Sequence, residues 1–117
     1  MDATHRSVWS RWAWGVVLVV GCMQKLGADT WTLVNTTEPV RTRIADVATS
    51  DELKADQSKA PGTLTFRLQN LAYLGPNFGP EKYEGHRMQA KGILIRQPNA
   101  ERIDIRSLAE VSETCPK

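Results

Sequence analysis

The chain has 117 residues, 41% of them hydrophobic and 24% charged, which suits one folded domain and excludes a disordered one. Its net charge of +2 is too small to imply a nucleic-acid partner, and loss of residues 1–21 would remove two arginines and one aspartate to leave +1. Cys22 and Cys115 are its only cysteines, too few for a disulfide framework or a zinc cluster.

Residues 1–11 carry His5, Arg6 and Arg11 against a single acid, Asp2. From Trp12 to Val20 the chain runs without a charge, and Gln24 and Lys25 end the apolar stretch. A membrane-spanning helix needs roughly 20 apolar residues, whereas a signal-peptide core needs about 7–15. The run closes on Val19-Val20-Gly21-Cys22. That resembles the bacterial lipobox, with an aliphatic residue three before the cysteine and a small one directly before it. The resemblance implies that Cys22 is diacylated, becomes the mature N-terminus and anchors the protein to a membrane. Ordinary secretory cleavage before Asp29 and an uncleaved signal anchor are the alternatives. Either cleavage places the protein in the bacterial cell envelope, lipid-anchored in the periplasm, or among secreted proteins. The chain then divides into a signal peptide over 1–22, a linker over 23–29 and one β domain over 30–117.

Thr30 to Thr37 is β-rich, with Trp31 and Leu33 on one face, and Pro39 ends that strand because it cannot donate to a ladder. Residues 40–49 lack a period and read as a loop. Thr49-Ser50-Asp51-Glu52 is a capping box, which predicts a helix from Ser50 to about Lys59. Its apolar stripe is thin, so it reads as a surface helix pinned by Leu53 and stopped by Pro61-Gly62. Thr63 to Gln69 alternates cleanly, with Leu64, Phe66 and Leu68 inward and Thr65, Arg67 and Gln69 outward. Residues 71–84 begin with the apolar Leu71-Ala72-Tyr73-Leu74 and continue as an irregular loop with two Gly-Pro steps around Phe78.

The strongest pattern lies between Gly85 and Val111. Two alternating arms, residues 85–96 and 101–111, flank Gln97-Pro98-Asn99-Ala100 and predict a long β-hairpin. Met88, Ala90 and Leu94 point inward in the first arm; Ile103, Ile105, Ala109 and Val111 do so in the second. The outer face of the first arm is polar before Gly92 and apolar after it. A glycine at that switch predicts a bulge or sharp bend. Bent strands with glycine at the bend predict a mainly β fold, a small antiparallel OB-like five-stranded barrel with one short surface helix. A partly open sheet is the alternative, and it would expose edges.

Trp31-Thr32-Leu33, Glu38-Pro39-Val40, Thr65-Phe66-Arg67-Leu68, residues 85–92 and the Ser107-Leu108 and Thr114-Cys115-Pro116 ending resemble a family of small uncharacterised bacterial exported proteins and lipoproteins with an OB-fold-like domain. The likeness covers residues 29–117. It implies fold and export and brings no activity, cofactor or site residue with it.

Five cations, Arg67, Arg87, Lys91, Arg102 and Arg106, fall at outward strand positions with Gln69 and Gln89 between them. If the strands are neighbours they form a basic, hydrogen-bonding face, of the kind OB-like barrels use for oligonucleotides and oligosaccharides. Acids at Glu101, Asp104 and Glu110 offer the plainer reading of a solvated, balanced face. Export and the lack of aromatics among the cations disfavour nucleic acid, leaving an anionic glycan, a lipid headgroup or a protein as partner. Phe78, and Tyr83 on the same loop, either contact a ligand at the barrel mouth or plug the barrel end. His86 has only Glu84 as a local carboxylate and reads as a turn histidine. Cys115 reads as an unpaired, structural cysteine. No phosphate loop, dinucleotide fingerprint, serine elbow or catalytic carboxylate pair occurs, so the expectation is a binding module without enzymatic activity, cofactor or metal. A structural or assembly protein of the envelope is the alternative.

Overall fold

The computed structural model describes residues 15–98 and 101–116. The basic start of the expected leader, Trp12 to Trp14 and the Asn99-Ala100 pair of the hairpin turn lie outside the described residues.

Six strands, one α-helix and two 3₁₀ turns make up the described chain. They are β1 (Val16–Lys25), β2 (Trp31–Thr36), β3 (Val40–Arg41), α1 (Ser50–Gln57), β4 (Leu64–Gln69), the 3₁₀ turns Leu71–Leu74 and Pro80–Tyr83, β5 (Arg87–Ile95) and β6 (Arg102–Ser112). Hydrogen bonds run β2–β4–β6–β5–β1 and close back from β1 to β2, so five strands form a ring and β3 adds to the side of β1. This is the OB-like five-stranded barrel expected from the pattern, with one difference. β4 and β6 pair in parallel, so the sheet is mixed rather than wholly antiparallel.

β1 is the strand that closes the ring. Its first part, Val16 to Cys22, pairs with β5 from Ile93 to Arg87, and its last part, Cys22 to Lys25, pairs with β2. Cys22 is the corner, in register with both Arg87 and Val34. Val17, Val19 and Met23 join the barrel core, whereas Leu18 and Val20 lie in a second cluster with Val111 and Leu53 of α1. A strand buried on both faces needs apolar residues at every position. That is why Val16 to Val20 lacks alternation and has the composition of a signal-peptide core. Gly21 serves packing here, because a Cβ on it would collide with the Thr36 hydroxyl. Met23 to Lys25, expected in a linker, belong to the strand, and only the turn closed by Leu26 N–H donating to the Thr30 carbonyl separates β1 from β2.

The core comprises residues such as Met23, Leu33, Phe66, Met88, Ile103 and Ile105, all fully buried. The hairpin bends where expected, with a register shift between Lys91 and Gly92. Any Cβ at Gly92 would meet the Asp104 carbonyl of the partner strand, so the close approach admits only glycine. Opposite that shift, Arg106 is the extra residue of β6, since Gly92 pairs with Ile105 and Lys91 with Ser107. The extra residue reverses side-chain parity. Leu108 rather than Ala109 therefore packs on the barrel core, and Val111 turns to the outer cluster, a correction to the regular alternation expected there.

α1 starts at the expected capping box: Glu52 N–H donates to Thr49 Oγ1 at 3.2 Å and Thr49 N–H to Glu52 Oε1 at 2.9 Å. It ends at Gln57, and lies across the outer face of β1, β5 and β6, pinned by Leu53 as expected and also by buried Asp56.

Candidate binding face

The side of the barrel beneath α1 is made by the first half of β5. Arg87, Gln89 and Lys91 project there at alternate positions, and all three are buried. Lys91 Nζ reaches three oxygens at 2.8 Å: the Glu52 carboxylate and the carbonyls of Ile44 and Val47. Gln89 Nε2 donates to Asp56 Oδ2 at 2.8 Å. Arg87 donates to the carbonyls of Asp56, at 3.2 Å, and Lys59, at 2.8 Å. Burial pulls the Arg87 guanidinium below its usual range, and the Asp56 charge opposes that shift. For Glu52, burial pushes the carboxyl up, but the hydrogen bonds from Lys91 and Thr49 outweigh it and the net shift is downward.

Arg87 and Lys91 therefore do not belong to an open basic face. They sit at outward strand positions, as the alternation requires, but residues 42–59 cover them. The physical reason is complementarity, since Glu52 and Asp56 stand one turn apart on α1 and meet Lys91 and Gln89, two apart on β5. This polar stripe is the dock for the helix.

The other expected cations lie on β6 and β4. Arg106 Nη1 pairs with Asp104 Oδ1 at 2.9 Å, and its guanidinium sits 5.1 Å from the Tyr73 ring centre. Asp104 also accepts from Asn70 Nδ2 at 3.3 Å, and the Tyr73 hydroxyl donates to Asp46 at 3.1 Å, so Arg106 is locked into a network that ties β6 to the Leu71–Leu74 turn and the 42–48 loop. That bond to Asp46 pushes the Tyr73 phenol above its ordinary range. Arg102 donates from Nη1 to Gln69 Oε1 at 2.6 Å and from Nη2 to Gln97 Oε1 at 3.0 Å. Arg67 is exposed on β4, and its guanidinium has no hydrogen-bond or ion-pair partner among the described residues.

Backbone register places Arg67 in a row. Gln24 pairs with Thr32, Thr32 with Arg67, and Arg67 with Arg102, across β1, β2, β4 and β6. The flanking residues Met23, Leu33, Phe66, Leu68 and Ile103 are in the core, so this row faces outward. Gln24 and Gln97 were not legible as members of this face. Gln24 lies on a strand whose composition suggests a leader, and Gln97 lies in the hairpin turn.

Phe78 and Tyr83 stack with ring centres 5.4 Å apart, and Tyr83 packs on the core. Tyr83 thus rests on the core and Phe78 rests on Tyr83. His86 meets the Tyr83 ring edge-on at 5.9 Å, and its Nδ1 lies 3.5 Å from Glu110 rather than beside Glu84.

Cys22 and Cys115 form a disulfide across 93 positions of sequence, which corrects the expectation of an unpaired Cys115. The pairing follows from β1 being part of the barrel, because that strand carries Cys22 to the C-terminal tail after β6. One sulfur cannot hold both a disulfide and a thioether-linked lipid, so the disulfide and the lipid anchor are exclusive states of Cys22. No protein-family model, curated protein or solved structure matches the chain. Its reading rests on its own residues. Among them, no group of three or more histidine, cysteine, aspartate or glutamate side chains that could hold a metal occurs in the described part.

Proposed function

We propose that this protein is an exported, non-enzymatic small β-barrel binding module of the bacterial cell envelope, taking an anionic ligand on the outer face of β2, β4 and the start of β6. The observation that carries the reading is the division of the barrel surface. The β1–β5 side is occupied by α1 and its loop, while Gln24 and Arg67 are exposed and Arg102 half-buried in the Gln24–Arg102 row, with no helix packed on them among the described residues. The Cys22–Cys115 bond supports the extracytoplasmic part of the reading, because structural disulfides persist in oxidising compartments. Membrane attachment through Cys22 belongs to this proposal only for a form of the chain without that bond. An anionic glycan, a lipid headgroup or an acidic protein surface are the partner classes the face suits, and nucleic acid is disfavoured by the absence of an aromatic from the row.

Amide-shift mapping tests the reading. The isotope-labelled, oxidised full chain is titrated with envelope oligosaccharides, charged and uncharged, and with anionic phospholipid vesicles. Shifts centred on Gln24, Arg67, Gln69 and Arg102 are expected with at least one of them. Shifts confined to α1 and its loop, or none with any ligand, refute it. The alternative, an assembly protein of the envelope, draws on the apolar residues that remain exposed at the far end of the β3–β1–β5 side, Val40, Ile44, Val47 and Ile93. Crosslinking in envelope preparations that recovers only monomer counts against that alternative.

A further inference from the structure

Within that binding face, and resting on the reading of it as one, we propose that Arg67 and Arg102 form a two-guanidinium clamp for a single oxyanion, a phosphate or sulfate ester. The two residues are register partners on parallel strands and share one face of the sheet. Neighbouring strands lie about 4.8 Å apart, so the two side chains start side by side. Like charges directly opposite each other destabilise a sheet, and such pairs ordinarily have a carboxylate nearby. Here the nearest acids are engaged elsewhere: Asp104 holds Arg106 and Asn70, and Glu101 holds Arg96 at 2.6 Å.

Arg102 is held by neutral groups only. The carbonyl oxygens of Gln69 and Gln97 fix two of its nitrogens and so orient the fork without cancelling its charge. Arg67 beside it has no partner among the described residues. One preset guanidinium, with the second hydrogens of its two terminal nitrogens left over, and one free to swing, both without an ion-pair partner among the described residues, suit an oxyanion that accepts N–H bonds from both. A carboxylate offers two oxygens in one plane, whereas a phosphate or sulfate group offers three around a tetrahedron and can engage both forks at once. Gln24, exposed at the end of the row, adds a neutral hydrogen-bonding group suited to the hydroxyls of whatever carries the ester, while Thr32 between them is buried and donates to the Gln24 carbonyl. A saccharide and a lipid headgroup both meet that description.

The test uses the oxidised full chain and its R67Q, R102Q and K54Q variants; Lys54 is an exposed residue of α1, away from the row. Affinities are measured by calorimetry for a sulfated oligosaccharide, its unsulfated counterpart, and phosphatidylcholine vesicles with and without phosphatidylglycerol. The clamp predicts binding of a charged probe that falls at least tenfold in R67Q and in R102Q and is unchanged in K54Q, with the melting temperature of R67Q held. Preference for the oligosaccharide or for the vesicle names the source of the ester. Equal binding of sulfated and unsulfated oligosaccharide, unaltered by R67Q, overturns the clamp and leaves the binding-module reading standing. Absence of binding to every probe overturns the clamp too, and amide shifts with other ligands then decide the broader reading.

Discussion

Replacing Lys91 by Met is the sharpest test of how this barrel is held together. The sequence pattern sets Lys91 on a solvated ligand face, and the structure sets it under α1 with no exposed surface. The substitution keeps the length and the apolar stem and deletes the ammonium. Its three acceptors then lose their donor: Glu52, which is also the capping-box residue of α1, and the carbonyls of Ile44 and Val47. Removing one partner of a buried ion pair costs about 3–5 kcal/mol. Ile44 and Val47 are 47% and 54% exposed and the Glu52 side chain 26%, so water can reach part of what is freed. That moves the expected cost to the lower end, about 3 kcal/mol. For a domain of this size each kcal/mol shifts the melting temperature by about 4–8 °C, so a fall of roughly 12–24 °C is expected. Urea titration and thermal melting by circular dichroism both read it. A loss below about 1 kcal/mol, the figure for an exposed ion pair, would show that Lys91 is solvated and refute the docked helix.

Three further outcomes follow from neighbouring features. C115S removes a bond that closes 93 positions of sequence and is expected to cost about 2–4 kcal/mol, near the chain-entropy limit of about 4.7 for a loop of about 100 residues; reductant should lower the wild-type melting temperature and leave the variant's alone. Glu52 has a folded pKa depressed below its ordinary 4.5, so its contribution is present above that value and lost as pH falls through the lower, folded one. Acid unfolding of the wild type followed by circular dichroism should therefore have a component below pH 4.5 that E52Q lacks. G92V, whose Cβ would meet the Asp104 carbonyl, should cost more than the ~1 kcal/mol of an ordinary point change; a neutral result in urea titration removes the argument for a glycine-dependent bend.

Strands with one face in the core and one outside announce themselves by period. Phe66 and Leu68 on β4, Met88 to Leu94 on β5, and Ile103 and Ile105 on β6 all read correctly for that reason. The helix start was legible because a capping box is local, closed between Thr49 and Glu52. β1 was not, since burial on both faces erases the alternation that marks a strand, and the residue run then matches an export signal on composition alone. The burial of Arg87 and Lys91 was hidden for a different reason. Alternation tells which side of a strand Arg87 and Lys91 occupy, yet whether that side meets water depends on a segment some 40 positions earlier in the chain. A signal for it did exist in Glu52 and Asp56, acids at helical spacing on one face of α1, of which Asp56 also pairs with Lys59 at 3.1 Å. Arg67 and Arg102 read as outward and are outward, and among the described residues no acidic segment pairs with them.

Cys22 joins the fold to the question of where the protein resides. Cleavage directly before it would remove Val16 to Gly21, leaving only Cys22 of the β1 stretch that pairs with β5. The ring would open between β5 and β2, and the β5 edge from Met88 to Ile93 would lose its partner strand. Leu18 and Val20, which α1 packs upon through Leu53, would go as well. A barrel of this size has few apolar contacts to spare. The expectation is therefore that the folded protein keeps Val16 to Cys22 and that any processing falls before them. Intact-mass spectrometry of the native protein, with and without reductant, reads the result directly. A mass that includes Val16, rises by two hydrogens on reduction and gives a tryptic peptide pair linking Cys22 to Cys115 is expected. A diacylglyceryl group on Cys22 as the first residue would overturn it, and would require β5 to find a new partner strand.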